Sequence, residues 1–176
     1  MAIAIRATGL AVSDPEIIAR TGWTAEDLSA AIDTARPTGP FGLVSLLIGV
    51  NNQFRGRLVE EFGKLFVGAL DRAIRCAGGT ASRVLVLSIP DWGVTPYAAG
   101  RDRYRIATEI DAFNAVTRRE ALGVGARYVD ITPLSREAAA DRSLLAGDGL
   151  HPAAAMYAGW VRLAMPQAMR ALTEPR

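Results

Sequence analysis

Val84-Leu85-Val86-Leu87-Ser88-Ile89, closed by Pro90, is a short run that is apolar on both faces. A strand with one wet face alternates apolar and polar residues, and this one does not. It belongs inside a parallel sheet covered by helices on both sides. On its N-terminal side, Arg57 to Cys76 has helical spacing in Leu58, Phe62, Leu65, Phe66, Ala69 and Leu70, and Gly78-Gly79 ends it. Further back, Phe41-Gly42-Leu43-Val44-Ser45-Leu46-Leu47-Ile48-Gly49 is a second continuous run. It predicts another strand buried on both faces, with Ser45 inside it.

Downstream of the opening strand, Tyr104 to Leu122 reads as a helix that Gly123-Val124-Gly125 stops. Tyr128-Val129-Asp130-Ile131 reads as a short strand, and Pro152 to Leu172 as a final helix entered through its proline. Near the start, Gly9-Leu10-Ala11-Val12 reads as a short strand. Trp23 to Leu28 reads as a helix start, with Thr24 as N-cap and Asp27 at the capping-box position. Strands separated by helices predict one α/β domain over residues 1–176, a parallel doubly wound sheet with helices on both faces.

Bulk properties narrow the function. Apolar residues make up 50% and charged residues 22% of the 176, the composition of an ordinary globular domain. Twenty basic against 18 acidic residues leave a net charge of +2, too balanced for a nucleic-acid partner. Cys76 is the sole cysteine, so an intrachain disulfide is excluded, and it reads as a small apolar residue. No run approaches the roughly 20 apolar residues of a membrane span. Met1 to Arg6 is too short for a secretory signal, so the cytoplasm is the default expectation.

In a parallel sheet the loops after the strands' C-terminal ends form the working face. Gly49-Val50-Asn51-Asn52, Ser88 to Gly93 and Gly147-Asp148-Gly149-Leu150-His151-Pro152 all fall there. His151 is the only histidine. A carboxylate three residues earlier, Asp148, can hold its Nδ1–H and leave Nε2 free as a base. Each residue also has a plainer reading. His151 can cap the helix beside its proline, and Asp148 can form an Asx turn with Gly149. Asn51 can bond its own turn, and Gly22 can serve backbone freedom alone. Trp23 and Trp92 suit a substrate pocket or simple packing. One histidine and one cysteine cannot form a metal cluster, and no glycine-rich loop follows a strand, so neither a metal nor a cofactor is expected.

Together these blocks resemble the SGNH (GDSL-type) hydrolases, a group of esterases, lipases and carbohydrate deacetylases. Gly147 to Pro152 is similar to the family's Asp-and-His block, and Gly49-Val50-Asn51-Asn52 to its Gly-x-Asn-Asp block, with Asn52 in place of the aspartate. Arg20-Thr21-Gly22-Trp23-Thr24 resembles the block with the glycine oxyanion donor. The resemblance implies a flavodoxin-like three-layer α/β sandwich and a small-molecule ester as substrate. It makes His151 the base, Asp148 its orienting partner, and Asn51 and Gly22 the oxyanion donors.

The family's Gly-Asp-Ser block has no counterpart here, so the nucleophile is unknown. Ser13 and Ser88 sit at predicted strand ends but lack the sharp strand-to-helix turn that exposes a nucleophile. The resemblance places Met1 near the end of the family's first helix. The sheet is then expected to lack its first strand, with a start codon set too late as the favoured explanation. The main reading is an ester hydrolase. The alternative is a non-catalytic binding module that keeps the pocket.

Overall fold

The computed structural model describes residues 1–174. The chain runs through helices α1 (Ala2–Arg6) and α2 (Ala25–Ala35), strand β1 (Val44–Leu46), and helices α3 (Val50–Phe54) and α4 (Val59–Cys76). Strand β2 (Val84–Leu87), helix α5 (Arg103–Gly123), strand β3 (Arg127–Val129) and helices α6 (Thr132–Arg136) and α7 (Ala154–Thr173) follow. The three strands pair in parallel in the order β1-β2-β3, with Val44 beside Val84 and Leu85 beside Arg127.

Strand β2 is the centre of the sandwich, and every one of its residues is buried. Val84 and Val86 point into one apolar cluster with Phe62, Phe66 and Leu70 of α4 and Ile110 and Phe113 of α5. Leu85 and Leu87 point into a second cluster with Val129, Met156, Trp160 and Ala164, against α7. The flat apolar run thus reflects two covered faces, and the molecule is a three-layer α/β/α sandwich. Helix α4 forms because Phe62, Phe66, Ala69, Leu70 and Ala73 line one stripe at helical spacing. Phe62 stacks on Phe113 at a ring distance of 4.5 Å, joining α4 to α5. The capping box expected at α2 is present: the Thr24 hydroxyl accepts the Asp27 N–H, and Asp27 accepts the Thr24 N–H.

Three expectations need correction. Gly9-Leu10-Ala11-Val12 is not a strand. Its backbone has no ladder partner among the described residues, while Leu10 and Val12 pack on the second cluster as loop side chains. The run from Phe41 to Gly49 contracts to the three residues of β1. That strand pairs only with β2 among the described residues, so Ser45 is exposed rather than buried, and Leu47 is 40% exposed. The last helix begins at Ala154, because residues 144–153 close a bridge between Leu145 and Pro152 first. No helix among the described residues is long and apolar enough to cross a membrane.

Candidate active site

The loop before α7 brings Asp148 and His151 together. Asp148 Oδ2 lies 2.5 Å from His151 Nδ1, and Oδ1 accepts the backbone N–H groups of Leu150 at 3.0 Å and His151 at 2.9 Å. One oxygen therefore builds the turn and the other holds the ring, so the two readings of Asp148 coexist. The bond from the ring, followed by the two backbone donors, pulls the Asp148 pKa down to about 2. Asp148 stays a carboxylate above that, so in the neutral imidazole Nδ1 carries the proton and Nε2 presents its lone pair.

The loop is closed on both sides. Ala146 donates to the His151 carbonyl at 2.8 Å, and Ala153 donates to the Leu144 carbonyl at 2.8 Å. Tyr97 N–H reaches the Gly149 carbonyl at 3.4 Å. The dyad is open to solvent, with side-chain exposures of 55% for His151 and 51% for Asp148.

Asn51 and the turn that carries Gly22 meet at α3. The Asn51 side-chain amide donates to the Trp23 carbonyl at 2.8 Å, and Arg55, from the end of α3, donates to the Gly22 carbonyl at 2.8 Å. The turn carrying Gly22 is thus tied to α3 at both ends, and Asn51 keeps a second N–H for another acceptor. Gly22 adopts φ +85°, the left-handed region that glycine enters freely, with open space where a Cβ would stand. Gly49, the residue before α3, is more constrained. At φ +125° a Cβ there would lie 2.6 Å from the Phe62 ring.

Leu150 packs on the same apolar cluster as Trp23 and Val50, so both halves of the site border one core. Two concavities of about 520 and 210 Å³ lie elsewhere, the first between α2 and α4 and the second beside α5 and α6. Neither is lined by Asp148, His151, Asn51 or Gly22. The hydrogen-bond geometry is the better guide to chemistry, since an open shelf encloses little volume.

No serine hydroxyl among the described residues bonds to His151. Ser88 is fully buried, donating to Asp130 at 2.9 Å and accepting from the Ile131 N–H at 2.7 Å and the Thr132 hydroxyl at 2.8 Å. It pins β2 to the segment after β3. Ser13 is exposed in a segment that forms no strand, and Ser45 is exposed on β1.

Sequence reasoning named Trp92 as a pocket or packing residue but missed its partners. Trp92 donates its indole N–H to Gln53 at 2.7 Å, and Gln53 donates to Glu109 at 2.8 Å. Phe54, Trp92 and Tyr97 form an aromatic cluster with ring distances between 5.1 and 6.3 Å. The Arg101 guanidinium lies over all three rings. The advance signal was Trp92 alone, placed by the sequence in the loop after β2.

The profile of the GDSL-like lipase/acylhydrolase family matches residues 4–158. Among solved structures, the chain is similar to the psychrotrophic esterase EstA from Pseudoalteromonas sp., at 14% identity and a TM-score of 0.61, over 87% of this chain and 75% of that one. It is similar to LAE5, an alpha/beta hydrolase enzyme from the metagenome of Lake Arreo, at 21% identity and 0.62, over 87% and 71%. The lipase/acylhydrolase from Enterococcus faecalis matches at 19% identity and 0.55, over 85% and 71%. Identities this low show likeness of fold alone. Among curated proteins none matches this chain.

Proposed function

The chain belongs to the GDSL-like lipase/acylhydrolase family, and on that premise we propose that it carries the base and oxyanion side of a Ser-Asp-His ester hydrolase acting on small-molecule esters. The observation that supports this most is the 2.5 Å contact between Asp148 and His151, with the carboxylate ionised and Nε2 free. His151 takes the proton of the attacking hydroxyl and returns it to the leaving alkoxide. Asp148 fixes the tautomer and stabilises the imidazolium that forms. The remaining Asn51 N–H and the Gly22 N–H stabilise the tetrahedral oxyanion.

The attacking serine is not assigned to any residue from 1 to 176. These residues alone are expected to hydrolyse esters near the background rate, because a base and oxyanion donors retain only a small part of the catalysis. Ethylphosphonate, a tetrahedral anion, tests the donor assignment. It is expected to shift the Gly22 backbone amide and the Asn51 side-chain amide in 1H–15N spectra, with the shifts lost in Asn51→Ala. Unmoved Gly22 and Asn51 signals at saturating phosphonate would reject that assignment. Intact mass after fluorophosphonate treatment tests the nucleophile, and no adduct is expected on the folded parent. An adduct that disappears in His151→Ala would place the nucleophile on a serine of this chain.

A further inference from the structure

Arg101 lies 5.3 Å from the ring centres of both Phe54 and Trp92 and 5.7 Å from that of Tyr97. A guanidinium over an aromatic face uses its flat face for the contact and keeps its N–H edge for a partner. Among the described residues that edge meets no carboxylate. The neighbouring Asp102 is taken by the Arg105 N–H at the start of α5. Asp91, on the same loop, is buried and paired with Arg136.

The cluster is anchored below and open above. Trp92 is 7% exposed and held by Gln53, whose other end is bonded to Glu109, itself paired with Arg105 at 2.7 Å. Phe54 and Tyr97 are 41% and 46% exposed. Phe54 stands three residues after Asn51 on α3, so both lie on one side of that helix. Tyr97 bonds the loop that carries Asp148 and His151. The segments that carry the aromatic patch are therefore tied to both halves of the proposed site.

Resting on the hydrolase reading above, we infer that Phe54, Trp92, Tyr97 and Arg101 form a specificity subsite for an anionic substrate, an ester with an apolar planar group and a carboxylate. The rings take the planar group, and the free guanidinium edge takes the carboxylate in a bidentate pair. The ester carbonyl then lies towards Asn51 and His151. A neutral ester of the same shape keeps the stacking and loses the ion pair.

Binding of 2-naphthoate and of its neutral isostere 2-naphthamide, followed by the Trp92 indole N–H signal in 1H–15N spectra, tests this without hydrolysis. The signal is assigned by its loss in Trp92→Phe. The acid is expected to bind on the order of tenfold more tightly than the amide, the size of one charge-assisted hydrogen bond. Arg101→Gln removes that preference, and Arg101→Lys restores part of it. Arg101 is exposed, so both variants are expected to keep the parent's circular dichroism. Equal binding of acid and amide, or binding of neither, would overturn the subsite. Tighter binding of naphthyltrimethylammonium in Arg101→Gln than of naphthoate in the parent would overturn it too, making the rings a cation box that Arg101 occupies. Failure here leaves the ethylphosphonate result at Gly22 and Asn51 untouched, so the two readings fail separately.

Discussion

Asn52 donates its side-chain amide to Glu26 Oε2 at 2.9 Å while its own oxygen accepts the Ala25 N–H at 2.9 Å. The side chain is fully buried and locks α3 to the first turn of α2. Burial alone would raise the Glu26 pKa. Its own backbone N–H, Asn52, Thr24 and Arg57 together bring it below the ordinary value. An amide can serve both partners here, and a carboxylate can serve only the backbone one.

Asn52→Asp is therefore expected to destabilise the fold by roughly 1–3 kcal/mol at neutral pH. The new carboxyl, buried beside Glu26, has a folded-state pKa raised above its unfolded value. Its folded form binds the extra proton, so the penalty is smaller at pH 5 than at pH 8. Urea denaturation at the two pH values checks this, and midpoints equal to the parent at both would refute it.

Asp148 sets a pH limit on its own loop. Its folded pKa of about 2 lies below the ordinary 3.8, so its contribution is fully present above 3.8 and is lost as pH falls through about 2. The Leu150 and His151 backbone amide signals, both donors to its Oδ1, are expected to titrate with that low midpoint. A midpoint at 3.8 in 1H–15N spectra would contradict the bonding described.

Ser88→Ala is expected to cost about 1–3 kcal/mol, because the buried Ile131 N–H loses its acceptor. The same variant is expected to leave the ethylphosphonate shifts at Gly22 and Asn51 intact. A loss of both stability and phosphonate binding would place Ser88 in the site instead of beneath it.

Two glycines of the site separate strain from space. Gly22→Ala carries backbone strain alone, about 1–2 kcal/mol, since nothing stands within 4 Å of the new methyl. Gly49→Ala adds a 2.6 Å approach to the Phe62 ring in the core, and roughly 3 kcal/mol or more is expected. Thermal unfolding of the pair tests the order. Equal melting temperatures would mean that Phe62 moves aside freely.

The sequence made the central elements readable because local chemistry specifies them. β2 has four consecutive apolar residues, α4 has a stripe, and α2 has its capping box. Asp148 and His151 were legible because they stand three positions apart and a turn brings them together. The limits of β1 were not, since exposure of Ser45 depends on which strands lie beside it. Gly9 to Val12 has strand-like residues, but a strand exists only with a partner. The Asn52–Glu26 pair and the Arg101 cluster join segments 26 to 47 positions apart, beyond the reach of any local pattern.

The one-sided pairing of β1 gives the sheet an internal order of opening. Among the described residues its backbone is held by β2 alone, whereas β2 is held from both sides and covered above and below. Amide protons of Val44 to Leu46 will exchange with solvent through local fraying, while those of Val84 to Leu87 wait for global unfolding. The sheet loosens from its margins inward, and its slowest-exchanging hydrogens mark the strand from which its architecture can be read.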